Sequence, residues 1–210
     1  MTVPTDGAAQ PSMGPADGEP DLTALLGSRI CHDLASPVGA IRNGLELMAM
    51  TGTPSAEMAL VSSSVESALA RIEFFRLAFG SGDPDAPIPS AMAAQTAVKL
   101  YEGGRTAIDW QDGVDRPRWE LRLAYLAILC VDAAAPMGGT LSVGHDGTWR
   151  VRIDAPRVRE LPFWDAVNRQ EVPGDLVGDF VQFGLLVDDA RRRGRIVAAE
   201  VADDAVTITV

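Results

Sequence analysis

The amino-acid sequence predicts an α+β chain in two parts. An N-terminal antiparallel helical hairpin closes into a four-helix bundle when two copies meet, and an α/β sandwich follows it. Three observations point there. Residues 22–50 and 55–79 carry apolar stripes at helical spacing, separated by Thr51-Gly52-Thr53-Pro54. A Gly/Pro/Asp-rich stretch, Gly80-Ser81-Gly82-Asp83-Pro84-Asp85-Ala86-Pro87, breaks the chain after them. Beyond it, short apolar strands alternate with helical segments, as helices laid on one face of a sheet require.

Taken in order, residues 1–20 are rich in Pro, Gly, Ala and Asp without apolar periodicity, and read as a disordered tail. Asp21 or Thr23 can cap a first helix running to about Met50, and Ser55 a second running to about Phe79. The hairpin unit is thus 21–80, and the second unit 88–210. In the latter, 91–101 reads as a helix ending at Gly103-Gly104, and Thr106 to Trp110 as a strand. Arg118 to Ala135 reads as a long apolar helix stopped by Pro136 and Gly138-Gly139. Thr140 to Val143 and Trp149 to Asp154 read as strands around the turn Gly144-His145-Asp146-Gly147. A helix from about Gly174 to Arg193 follows, then strands Arg195 to Val201 and Ala205 to Val210.

The hairpin is predicted to need a second copy. Met58, Val61, Val65, Ala68, Ile72, Phe75 and Phe79 step by alternating threes and fours, the heptad seam of helical bundles. Leu22, Leu26, Ile30, Leu34, Pro37, Ile41, Leu45 and Met48 trace a comparable stripe. A lone hairpin leaves much of both stripes in water, and a two-fold dimer covers them. The competing expectation is that they pack on the C-terminal unit.

Composition narrows the partners. The 210 residues carry a formal charge of −11, which repels phosphate backbones and anionic lipid, so neither nucleic acid nor a membrane surface is expected. Another protein is. Cys31 and Cys130 are the only cysteines, with no C-x-x-C, so neither a disulfide framework nor a metal site is expected. Met1 to Gln10 lacks the form of a signal peptide. The longest apolar run, Leu123 to Val131, stops at Asp132, short of the roughly 20 residues of a membrane helix. The expected location is the cytoplasm.

The candidate site is His32. At about 100° per residue it lies about 180° from Ile41 and about 200° from Ile30 and Leu34, away from the apolar stripe. Ser28, Arg29, Ala35, Ser36, Gly39 and Asn43 share its face, and the small residues that dominate it leave the imidazole open to close approach. The same stretch holds a mid-helix Pro37 and Gly39 and Gly44. In a helix interior Gly costs about 1 kcal/mol and Pro about 3 relative to Ala, so these residues point to a site. Neutral imidazole is a nucleophile near neutral pH, and its phosphoramidate can pass a phosphoryl group to a carboxylate. Asp33 could hydrogen-bond the ring, and Ser36 could contact phosphoryl oxygens.

The segment Cys31-His32-Asp33-Leu34-Ala35-Ser36-Pro37-Val38-Gly39-Ala40-Ile41, with Asn43-Gly44-Leu45-Glu46-Leu47 after it, resembles the H-box of sensor histidine kinases. It is more similar still to the histidine phosphotransferase ChpT family of alphaproteobacteria. The resemblance is specific over 31–47, with Val181-Gln182-Phe183 and Leu185-Leu186 a second familiar stretch. It implies a homodimer whose second domain is a degenerate histidine-kinase ATPase-like sandwich, and it implies that His32 is the phosphoacceptor. It further implies that His32 takes its phosphoryl group from the receiver of a CckA-like hybrid kinase and gives it to CtrA- and CpdR-like response regulators. Ser28, Arg29, Ala35, Gly39 and Asn43 would be the receiver-docking face, and Mg²⁺ would belong to the partner receiver, with no cofactor on this chain.

Three departures from the kinase pattern speak against ATP. The long helix ends Leu129-Cys130-Val131-Asp132-Ala133-Ala134-Ala135, without the Mg²⁺-holding Asn, and Asp132 is nearest to that position. The Asp-x-Gly-x-Gly loop is Asp154-Ala155-Pro156-Arg157-Val158, with Pro156 and Val158 at the glycine positions. Gly174, Gly178, Gly184 and Gly194 are too scattered for a phosphate-cradling lid. His145 is expected as a turn residue, and Trp110, Trp119, Trp149 and Trp164 as packing residues. The expected activity is phosphotransfer through a phosphohistidine. The rivals are an ATP-dependent kinase with a divergent nucleotide site and a non-catalytic module that sequesters a regulator.

Overall fold

The computed structural model describes residues 22–51, 55–80 and 82–210. The expected tail, the Asp21 cap and the Gly52-Thr53-Pro54 turn lie outside the described residues. Two long helices come first, α1 (Leu22–Thr51) and α2 (Ser55–Ala78). Pro37 lies inside α1 and is buried.

Past the hairpin, the expected linker is held in place. Pro87–Ile88 (β1) pairs with Arg116–Pro117 (β3), and the Ala86 and Pro84 carbonyls accept from the amides of Arg118 and Trp119. Helix α3 (Ser90–Tyr101) and strand β2 (Ala107–Trp110) follow, then α4 (Arg118–Ala133). Buried without a break from Leu123 to Val131, α4 explains the continuous apolar run in the sequence. Strands β4 (Thr140–His145) and β5 (Trp149–Asp154), the short α5 (Trp164–Asn168), a single 3₁₀ turn (Gly178–Phe180), α6 (Val181–Arg192), β6 (Ala198–Val201) and β7 (Ala205–Thr209) complete the chain.

The five-stranded sheet has the order β2-β4-β5-β7-β6, with β2 parallel to β4 and every other pair antiparallel. Along β5, buried Trp149, Val151 and Ile153 alternate with exposed Arg150, Arg152 and Asp154, so one face of the sheet meets the helices. Leu141, Val143, Val206 and Ile208 join that core, with Leu126, Ile128, Phe183 and Leu186 from the helices above.

Two expectations are corrected. The last helix begins at Val181, not at Gly174. Pro173-Gly174 and the extended backbone of Val177 hold the preceding residues out of helix, and the 3₁₀ turn leads into α6. His145 is not a turn residue: it ends β4, its side chain is 8% exposed, and its Nε2 lies 3.2 Å from Glu120 Oε1.

The competing expectation, packing on the C-terminal unit, has a counterpart at one end of the hairpin. The end of α2 packs on α4, where the Phe74 ring lies 4.5 Å from that of Tyr125, and Leu22, Leu25 and Ile30 of α1 pack against the same core. Gly184 makes room for the start of α1, since a Cβ there would come within 2.8 Å of Leu22 Cδ2. Farther out, Val38, Leu45, Leu47 and Met50 of α1 and Met58, Val65, Leu69 and Ile72 of α2 remain exposed.

Candidate functional site

His32 sits on α1 with its side chain 72% exposed. Its Nδ1 lies 3.3 Å from Asp33 Oδ1 and 3.8 Å from Asp179 Oδ1. A carboxylate beside Nδ1 favours a proton on that nitrogen and leaves Nε2 with the lone pair. Asp33 is itself fixed by Arg29, one turn earlier, whose Nε donates to Asp33 Oδ2 at 2.6 Å. That pair is largely shielded, at 16% and 20% side-chain exposure.

Arg29 also joins the two parts of the chain. One terminal nitrogen donates to the backbone carbonyl of Asp179 and to Gln182 Oε1, the latter at 3.3 Å. Gln182 is fully buried, and its amide nitrogen reaches the carbonyl of Leu129 on α4. A continuous polar chain therefore runs from α4 through Gln182 and Arg29 to Asp33 and the His32 ring. It fixes the imidazole against the sandwich, not merely on a free helix.

Between α1 and the sandwich lies a cleft of about 470 Å³. His32, Asp33 and Ser36 line its mouth, and Arg29, Arg71, Tyr101, Arg105, Thr106 and Asp132 its walls. Gly138 (φ +79°) brings the far rim close, since a Cβ there would stand 2.1 Å from the Arg105 carbonyl. Burial raises the Asp132 carboxyl above its usual range, opposed by a hydrogen bond from Thr106 and by the charges of Arg29 and Arg105. Burial likewise pushes the Tyr101 hydroxyl and the Cys130 thiol well up, and the neighbouring Asp132 adds to the rise at Tyr101. A thiol so shifted is inert as a nucleophile.

The sequence-predicted residues divide into four groups. His32, Asp33 and Ser36 come together at the cleft mouth. Gly39 and Asn43 lie further along α1; Asn43 is exposed, and a Cβ on Gly39 would meet nothing within 4 Å. Arg29, expected on the docking face, is turned inward against Asp33, Asp179 and Gln182, because a mostly desolvated guanidinium needs those acceptors. The side chains of Ser28, Ala35 and Cys31 lie outside the described residues. Sequence reasoning missed Asp179, Arg71, Tyr101, Arg105 and Thr106, which no spacing connects to position 32. Gln182 lies in the Val181-Gln182-Phe183 stretch of the resemblance, which gives it no role.

The loop after β5 is tied to the turn between β6 and β7. The Ala155 amide donates to the Asp204 carbonyl and the Val158 amide to that of Asp203, both at 2.9 Å, while Pro156 has no N–H. Among the described residues no group of three or more His, Cys, Asp or Glu could hold a metal ion, and no helix is long and apolar enough to cross a membrane.

Comparison with known proteins places the chain. The family model for the histidine phosphotransferase C-terminal domain matches residues 90–205. The protein phosphotransferase ChpT of Brucella abortus strain 2308 is 40% identical over 130 residues, 61% of this chain and 62% of that protein. The aligned stretch thus spans less than two thirds of the curated relative. The solved structure of a bacterial phosphotransferase superposes with a TM-score of 0.78 at 29% identity, covering 96% of this chain and 99% of the other. The histidine kinase domain of a blue-light-activated kinase from Erythrobacter litoralis is more distant, at 16% identity and a TM-score of 0.41 over 90% of this chain and 92% of that one. The chain belongs to the ChpT family of histidine phosphotransferases.

Proposed function

We propose that this chain is the histidine phosphotransferase of a bacterial phosphorelay. It accepts a phosphoryl group on His32 from the receiver aspartate of a CckA-like hybrid kinase and passes it to CtrA- and CpdR-like response regulators. The observation that carries this reading is the exposed His32 ring with Asp33 beside Nδ1, and Arg29 fixing Asp33 in turn. In the forward step the Nε2 lone pair attacks phosphorus as the acyl phosphate P–O bond breaks, returning the receiver aspartate as a carboxylate. Nδ1 keeps its proton, and Asp33 offsets the positive charge that develops on the ring. The second step reverses this on a different receiver. The receiver supplies its own Mg²⁺ and aspartate, so the contribution of this chain is mainly position.

In this reading the chain acts as a homodimer in the cytoplasm and draws nothing from ATP. Exposed apolar residues along α1 and α2 support the dimer. Pro156 and the occupied Val158 amide, where a kinase presents free glycine N–H groups, support the absence of nucleotide binding. The test is labelling by two routes. Incubation with labelled ATP and Mg²⁺ should leave the protein unlabelled, whereas a labelled phospho-receiver should transfer acid-labile, alkali-stable phosphate to it. Self-labelling from ATP would overturn the relay in favour of a kinase.

A further inference from the structure

The relay mechanism uses the outer side of His32 and leaves the cleft behind it unexplained. Its walls carry three arginines, Arg29, Arg71 and Arg105, against two acids, Asp33 and Asp132, in a chain whose overall charge is −11. Arg29 is engaged with Asp33 and Asp132 with Thr106. Among the described residues, Arg71 Nε is buried without a hydrogen-bond partner, and the buried Tyr101 hydroxyl makes no well-aligned hydrogen bond although it lies beside the Asp132 carboxyl. A buried donor left unpaired costs roughly 1–3 kcal/mol, so one that lines an open cleft can be satisfied by a bound water or anion. An unpartnered guanidinium nitrogen, with a phenol hydroxyl and a further arginine lining the same cleft, matches a tetrahedral oxyanion better than a neutral ligand.

We propose that this cleft is a phosphate-oxyanion site, with Arg71 and the Tyr101 hydroxyl as its principal donors and Arg105 at its rim. The inference rests on the reading of His32 as phosphoacceptor only for the source of the oxyanion. One source is the phosphoryl group that His32 itself carries, held inward between transfers and shielded from water. The other is free inorganic phosphate, whose occupancy beside His32 would compete with transfer. The local fold serves such a site: the glycines at 103 and 104 turn the chain from α3 so that Tyr101 and Arg105 face the same space, and Gly138 closes the rim against Arg105.

The experiment follows the arginine Nε–H and tyrosine ring signals of the full chain by NMR, in two arms. In the first, unphosphorylated protein is titrated with inorganic phosphate at constant ionic strength, with chloride as the control anion. In the second, the protein is treated with phosphoramidate, a small-molecule phosphoryl donor that needs no partner protein, and is compared with His32→Ala. A saturable shift at Arg71 and Tyr101 in the first arm identifies a free-phosphate site. Arg71→Gln should then weaken it about tenfold and Tyr101→Phe severalfold, while Arg118→Gln, in a different cleft, leaves it unchanged. A shift confined to the second arm and lost in His32→Ala identifies the phosphoryl group of His32 as the occupant. Silence of both residues in both arms, or an equal response to chloride, overturns the proposal. The first arm keeps its meaning even if His32 is never phosphorylated, so failure of the cleft and failure of the relay are told apart.

Discussion

At the scale of single residues, the proposed transfer through His32 makes Asp33 the group on which it would most depend. Asp33 lies 3.3 Å from Nδ1 and is locked by Arg29. Asp33→Asn removes the charge that offsets the phosphorylated ring and keeps the side-chain shape. It should slow transfer about tenfold to a hundredfold with little change in receiver affinity, as stopped transfer assays at varied receiver concentration would show. Asp132 allows a different test. Burial raises its carboxyl pKa above the ordinary 3.8, so between that value and the raised one the folded state holds a proton that the unfolded chain has lost. Stability from this group therefore falls as pH rises from about 4 towards neutrality. Asp132→Asn should raise Tm at pH 7, with the gain shrinking towards pH 4; thermal unfolding at both pH values checks the sign. Of these residues, His32 and Asp33 were legible in the sequence because they are neighbours on one helix. Asp179 was not, since only the packing of the 3₁₀ turn on α1 brings position 179 to position 32.

At the scale of elements, the heptad steps of α2 and the unbroken apolar run of α4 mark helices because their periodicity survives in any context. The start of α6 was not legible, because Gly174 and Gly178 interrupt its pattern without erasing it. The five-residue α5 is too short to show a period. The cleft could not be read from sequence at all: its walls come from α1, α2, the end of α3 and the end of α4, and no local spacing links positions 29, 71, 101 and 132. The hairpin meets the sandwich at Phe74, which is fully buried against Tyr125. Phe74→Ala should cost about 3–5 kcal/mol and be visible in denaturant unfolding. If the hairpin and the sandwich instead unfolded independently, the variant would split one transition into two.

At the scale of the whole molecule, the exposed apolar side chains of the hairpin are those the proposed dimer would cover. The hairpin's inner ends pack on the sandwich, while Val65, Leu69 and Ile72 of α2 and Leu45 and Leu47 of α1 face outward. The double substitution Val65→Glu with Ile72→Glu should convert a dimer to a monomer in sedimentation velocity, leaving the near-ultraviolet dichroism of the sandwich tryptophans intact. A variant that stayed dimeric would remove the bundle from the account. In the proposed relay the sandwich would have its own part: through Gln182 and the Asp179 carbonyl it holds Arg29, and so the carboxylate beside His32.

The central claim is that phosphoryl flow passes through a single imidazole, and its most direct test is a reconstituted relay. A phosphorylated hybrid-kinase receiver, this protein and a response regulator are mixed, and label is followed on all three at short times. With the wild-type chain, label should leave the donor, appear transiently on this protein and accumulate on the regulator. With His32→Ala, which removes an exposed side chain and should leave the fold intact, transfer to the regulator should fall to the rate seen with no relay protein. Continued flow through the His32→Ala chain would contradict the account.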